Sequence, residues 1–194
     1  MTLVIIGLGN PEQKYENTPH NMGYNVVNAL ADKLSVKFGK ISCKASIAEK
    51  SVNGEKIILA KPLTYMNLSG ESVRELIGRY GSDGQYIVVY DDIDIPCGSL
   101  RARVSGSGGT HNGMRSVVAC AGQDIPRIRV GIGRPEIPEM DLADYVLGQL
   151  SGDKKQVLVD ACLRAATLLQ QYIKGEHDFE RLMTAINRSN NSPC

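Results

Sequence analysis

His20 stands between Pro19 and Asn21 in the stretch KYENTPHNMGYN, just ahead of a run of helix-forming apolar residues. An imidazole titrates near neutral pH and can take a proton from a nucleophile, although a solvated ring at a helix start is the more ordinary use of a lone histidine. Asp91, Asp92 and Asp94 close the apolar run in YIVVYDDIDIP, where a carboxylate could partner that ring or a cluster could hold a cation. Side-chain amides fall at four element boundaries: Asn10, Asn21 beside His20, Asn67 beside Met66, and Asn112 beside His111. Any one of them reads as a turn or cap residue, but together they can grip a peptide or hold a water without changing charge. No serine sits in a GxSxG frame and no cysteine adjoins a histidine, so a covalent nucleophile has no obvious home. A hydrolase built from these residues activates water directly, with one aspartate partnering the histidine and the others at the surface.

The charge pattern adds a second kind of chemistry. The formal net charge of +1 points to no partner, yet between Gly98 and Arg134 there are six arginines (101, 103, 115, 127, 129 and 134) against one acid, Asp124. Arginine suits bidentate phosphate contacts, and a solvated strand face with salt bridges is the plain alternative. The following PEIPEMDLADY carries four acids and no base. GLGNPE after the first apolar run matches only the start of a dinucleotide-binding loop. Glu12 stands at the third glycine position, Pro11 disrupts the turn, and no helix begins in time to receive a pyrophosphate.

The elements that must position these residues follow from periodicity. LVIIGLGN reads as a buried strand entering a loop, and apolar spacing from Val26 to Phe38 predicts a helix from Asn21 stopped by Gly39. Asn53-Gly54 between ASIAEKSV and EKIILAKP predicts a type I′ hairpin. Helices are predicted over about 69–80, 115–121, 153–173 and 179–186, with strands at YIVVYDD, SLRARV and RIRVGIG. In the 153–173 helix Val157, Leu158, Ala161, Leu163, Ala165 and Leu168 are the expected inward stripe. Interleaved strands and helices, with one hairpin, imply a single α/β domain with a twisted mixed sheet and helices on both faces. The domain is expected over 1–187 and a loose tail over 188–194.

At 194 residues, with 42% hydrophobic and 22% charged, the composition is that of an ordinary globular protein. The N-terminus lacks a signal-peptide pattern and no apolar run approaches membrane-spanning length, so a cytoplasmic location without membrane partners is expected. Five scattered cysteines with no CxxC pair read as reduced thiols, neither disulfides nor a zinc site. His177 reads as a solvated residue between helices.

GLGNP, NTPHNMG, KPLTYMNLSG, YDDIDIPCG, GTHNGMRS and RIRVGIGRP, in this order over about residues 3–185, resemble the bacterial peptidyl-tRNA hydrolase family. The resemblance implies hydrolysis of the ester joining a peptide, or an N-blocked aminoacyl group, to the 3′ end of tRNA, recycling the tRNA, by a monomer without metal or cofactor. It implies His20 as catalytic base and Asp91 as the acid that orients it. Asn10, Tyr15, Met66, Asn67 and Asn112 become substrate-binding residues, and Arg103 and Arg129 the clamp on a tRNA phosphate. Pro19 and Thr110 depart from the family's usual residues, and Pro19 stiffens the approach to His20. RNA binding without hydrolysis, and hydrolysis of small esters, are the alternatives.

Overall fold

The computed structural model describes residues 2–137, 139–176 and 178–188; His177 and the tail beyond Arg188, Cys194 included, lie outside the described residues. Seven strands, β1 (Thr2–Gly7), β2 (Lys40–Ser42), β3 (Ala45–Val52), β4 (Glu55–Pro62), β5 (Gln85–Asp92), β6 (Leu100–Arg103) and β7 (Arg127–Gly131), form one sheet in the order β2-β3-β4-β1-β5-β7-β6. The central pairs β4/β1, β1/β5 and β5/β7 are parallel, while β2/β3, β3/β4 and β6/β7 are antiparallel. Among the described residues six α-helices accompany them: α1 (Met22–Leu34), α2 (Ser69–Tyr80), α3 (Asn112–Ala121), α4 (Leu142–Leu147), α5 (Gly152–Ile173) and α6 (Phe179–Arg188).

Each face of the sheet has its own core, as the mixed α/β reading expects. Leu3, Ile5, Ile87 and Val89 point toward α1, α5 and α6, while Val4, Ile6, Val88 and Tyr90 point toward α2 and α3. Because β1 and β5 are covered on both faces, their sequences read as unbroken apolar runs rather than alternations. The Asn-Gly hairpin forms with both turn residues at positive φ, Asn53 at 52° and Gly54 at 80°.

Several boundaries differ from expectation. α1 stops at Leu34 because Ser35 adopts a left-handed cap and Val36 N donates to Ala31 O, so Val36 and Phe38 pack from outside the helix. α3 begins at Asn112, three residues before the predicted start, because His111 caps it. On α5 the buried stripe is Leu158, Ala161, Cys162, Ala165, Ala166 and Leu169; Val157 and Leu163 are exposed. The sequence patterns missed β2 and α4 altogether. The four described cysteines are free, and no described helix is long and apolar enough to cross a membrane.

The carboxyl ends of β1, β4 and β5 come together at one end of the sheet, beside the place where the chain returns from the β4 side to the β5 side. Open α/β sheets bind ligands in such crevices. Close packing fixes the geometry: a Cβ on Gly23 would lie 2.3 Å from Val89 O and 2.4 Å from Leu8 N, so only glycine lets the start of α1 rest on β1 and β5. That contact brings the residue preceding α1 over the end of β5.

Candidate functional site

His20 lies in a one-turn helix, Pro19–Asn21, that leads directly into α1. Pro19 fits the first position of this turn, and Thr18 before it is extended (φ −106°, ψ 152°), as a residue preceding proline should be. The departure at Pro19 therefore pre-sets the loop. The nearly buried ring directs Nδ1 to both oxygens of Asp91, at 3.1 and 3.0 Å. Asp91 is the penultimate residue of β5 and is 1% exposed.

A second imidazole completes the arrangement. His111 Nε2 lies 3.0 Å from Asp91 Oδ1, while its Nδ1 accepts from Met114 N at 3.0 Å as the N-cap of α3. Accepting that N–H requires a bare Nδ1, so the hydrogen of neutral His111 is on Nε2 and is donated to Asp91. The His20 and His111 rings are 4.8 Å apart, and the Tyr90 ring also packs 4.8 Å from that of His111. His20 Nδ1–H likewise donates to the carboxylate, which leaves Nε2 as the ring atom able to receive a proton.

Two opposing influences act on the charge of His20. Burial works against charging His20, but the adjacent Asp91 carboxylate outweighs it and holds the histidine above its usual value of 6.5. Burial also opposes the Asp91 charge. The two imidazoles more than compensate and hold its carboxyl far below the usual carboxylate range.

His20, Asp91 and His111 are also the described trio whose donor atoms, within 4.8 Å of one another, could surround a metal ion. Their hydrogen bonding fits that use poorly. A cation at His111 Nε2 would have to displace the hydrogen required there by the Met114 cap, and Asp91 already accepts from both rings. Asp91, Asp92 and Asp94, for which a shared cation was the alternative, each turn to a partner of their own: the histidines, Arg129 and Arg134.

The dyad lines a cleft of about 500 Å³. Asn10, Met66, Asn67, Asn112, Arg103 and Arg129 line the same cleft; Tyr15 does not, and its backbone oxygen instead receives Thr18 Oγ1 in the preceding turn. Asn10 is held by reciprocal bonds, its N–H to Asn21 Oδ1 at 2.8 Å and Asn21 Nδ2 to its carbonyl at 3.0 Å. Asn10 Oδ1 accepts from Met66 N at 2.9 Å, which frees its NH₂ for another acceptor. Met66 needs the glycine opposite: a Cβ on Gly113 would lie 2.3 Å from Met66 Sδ. Just before Met66, Tyr65 holds φ 58° and ψ 163°, a region that costs a non-glycine residue about 1–3 kcal/mol and is found mainly at functional sites.

The six arginines separate into different roles. Arg103, Arg127 and Arg129 line the cleft. Arg103 is exposed, whereas Arg127 is buried and donates to Ile125 O, Gln123 O and Ser107 O, tying down the glycine-rich loop before His111. Arg129 Nη1 meets Asp92 Oδ2 at 3.0 Å, and its Nε is a buried N–H without a partner among the described residues. Arg101 reaches Asn187 O, Arg115 reaches Gly109 O, and Arg134 pairs with Asp94 at the surface.

Three features of the cleft escaped the sequence reading. His111 was noticed only as a neighbour of Asn112, although the cap position ahead of an apolar run was a usable signal. Asp92 was read as surface but its side chain is largely buried against Arg129. The acidic stretch near residue 140 conceals α4, capped by Asp141, whose Leu142, Ala143, Val146 and Leu147 form an apolar cleft wall. The Asp141 cap followed by Leu142, Tyr145 and Val146 at helical spacing was its signature.

A family model described as peptidyl-tRNA hydrolase matches residues 4–193. The chain is 45% identical over 189 residues to a peptidyl-tRNA hydrolase of Alkaliphilus metalliredigens, covering 96% of this chain and 98% of that one. It is 44% identical over 190 residues to that of Chloroflexus aurantiacus, with 96% and 98% covered. The fold is similar to the crystal structure of peptidyl-tRNA hydrolase from Acinetobacter baumannii, with TM-score 0.86, 30% identity, and 95% and 94% of the two chains covered.

Proposed function

The chain belongs to the peptidyl-tRNA hydrolase family, whose function is hydrolysis of peptidyl-tRNA, and we propose that His20 is the base through which it activates water for that reaction. The observation that carries this reading is the His20 Nδ1 contact with a buried, ionised Asp91 inside a cleft bordered by Asn10, Asn67 and Asn112. Asp91 fixes the tautomer, so Nε2 accepts a proton from water as its oxygen attacks the ester carbonyl. The negative charge that forms on the carbonyl oxygen is met by side-chain amide donors, with Asn10 NH₂ and Asn112 the candidates. The bond to the ribose 3′ oxygen then breaks, and imidazolium returns its proton to that oxygen. No covalent enzyme intermediate is required.

The α4 wall and Met66 supply an apolar surface for the peptide, and Asn67 is assigned to its polar groups. Arg103 and Arg129 are assigned to a tRNA phosphate beyond the reacting ester. Tyr15 lies away from the cleft lining and keeps only a supporting part, through the turn that delivers His20. We assign no metal or cofactor to the reaction, and the site is complete within one chain, in keeping with a monomer.

Release of N-acetyl-amino acid from blocked aminoacyl-tRNA tests the reading. The wild type should release it and His20→Ala should bind the same tRNA without doing so. Binding without release by the wild type would favour a non-hydrolytic RNA-binding module, while cleavage of small esters with no preference for tRNA would favour a general esterase.

A further inference from the structure

The two arginines assigned to phosphate are not in the same state. Arg103 is exposed and no described acid pairs with it, whereas Arg129 is held by Asp92 at 3.0 Å with both side chains largely buried. Asp92 is itself fixed, because its Oδ1 accepts from Asp94 N at 2.8 Å. It therefore approaches Arg129 from a set direction and occupies only Nη1. The Arg129 Nε–H is buried and has no acceptor among the described residues, so the guanidinium at the cleft lining is under-satisfied by this single acid.

We propose that Asp92 is a positioning residue that acts through Arg129 as an internal counter-ion, restricting this arginine to phosphates that Arg103 has already brought into the cleft. The inference rests on the reading of Arg103 and Arg129 as a tRNA phosphate clamp. A phosphate that meets the Arg129 guanidinium from the cleft faces the Asp92 charge across it. Repulsion by one like charge within about 6 Å, in a partly desolvated cleft, weakens binding by an order of tenfold. A single phosphate therefore gains little at Arg129. One held at the same time by Arg103 overcomes the repulsion, because its second contact is made at high effective concentration. Asp92 thus trades affinity for selectivity, so that stray RNA phosphates do not occupy the clamp.

The Asp94–Arg134 pair provides an internal contrast. It is only 2.5 Å long, but its side chains are 49% and 69% exposed, where solvent screens the charge. Removing the Asp94 charge should matter far less than removing that of Asp92.

The test is binding of deacylated tRNA to the full chain at two salt concentrations. Asp92→Asn keeps an oxygen for Asp94 N while losing the charge, and Asp92→Ser serves as a second variant should the amide perturb folding. Both should bind about tenfold more tightly than wild type at low salt, with a steeper salt dependence; a merely structural role would weaken binding. The gain should vanish in Arg129→Ala combined with Asp92→Asn, and Asp94→Asn should change binding less than about twofold. Unchanged or weaker binding by both Asp92 variants, with Arg129→Ala still weakening the wild type, would overturn the counter-ion role and leave the clamp standing. A gain that persists without Arg129, or that Asp94→Asn reproduces, would reduce the effect to general charge and also overturn it. No effect of Arg129→Ala on the wild type would remove the clamp itself.

Discussion

The corner around His20 and the arginine edge along β6 and β7 share one cleft but are built in opposite ways. At the corner Asp91 is buried, both imidazoles donate to it, and Asn10 is held by three hydrogen bonds before any substrate arrives. Along the edge Arg103 is exposed, Arg129 is engaged by one acid, and its buried Nε–H has no partner among the described residues. Proton transfer needs heavy atoms held within hydrogen-bonding reach, so its groups are ordered in advance. Attraction of a polyanion is long-ranged and tolerates imprecise placement, so its groups can remain adaptable. On the proposed reading, rigid geometry serves the chemical step and adjustable charge serves recognition, and substitutions in the two places should fail differently.

The largest effect is expected at the corner. His20→Ala should lower kcat by roughly 10²–10⁴-fold while leaving tRNA affinity nearly unchanged, as read from single-turnover release and direct binding. Near wild-type turnover would remove the contrast at its root. His111→Asn should come next: an asparagine still caps α3, but Asp91 loses one donor. We expect roughly a tenfold fall in kcat, about the worth of one hydrogen bond to a charged group, with little change in thermal midpoint. His111→Ala should also lose about 1 kcal/mol of stability, visible in thermal unfolding, because the cap goes too. Equal stability of the two variants would mean that the His111 cap contributes nothing.

At the edge the signature changes from rate to affinity. Arg103→Ala should raise KM for tRNA substrates without affecting short nucleotide esters, and should reduce the log–log salt slope by roughly one unit or less. Losses of equal size on both substrates would place Arg103 in the chemistry. The smallest effect should come from Arg134→Ala, whose exposed ion pair with Asp94 contributes about 0–1 kcal/mol. A measurable change in turnover there would show that the adaptable edge extends further than the cleft lining.

How much of this could be read beforehand depended on whether the governing contact was local. The buried β1 and β5 runs, the Asn53-Gly54 turn and the apolar spacing of α2 are determined within a few residues, and they formed where expected. His20, Asp91, Asn10, Asn67 and Asn112, which line one cleft, were singled out as boundary residues and through family resemblance, and loops at strand and helix ends are where binding groups collect. Arginine roles were not legible, because the partner of Arg129 lies 37 positions away and that of Arg101 86 positions away. The α5 stripe was misplaced by turning Val157 and Leu163 inward, which apolar identity permits but the α1 contact does not. Likewise α4 was hidden by its acids: a six-residue helix with no buried residue leaves little hydrophobic pattern.

The pH dependence of kcat/KM on a short nucleotide ester, with chelator present, tests the His20–Asp91 assignment most directly. Burial lowers the His20 pKa and Asp91 raises it, with the net shift upward, so the wild-type rate should rise through one ionisation above 6.5 and then level off. In Asp91→Asn the raising charge is gone while burial remains. The residual activity should therefore titrate at lower pH than in the wild type, with chelator changing neither profile. An ionisation that stays in place when Asp91 becomes asparagine, or activity abolished by chelator and restored by a divalent ion, would contradict the assignment and move the chemistry away from His20.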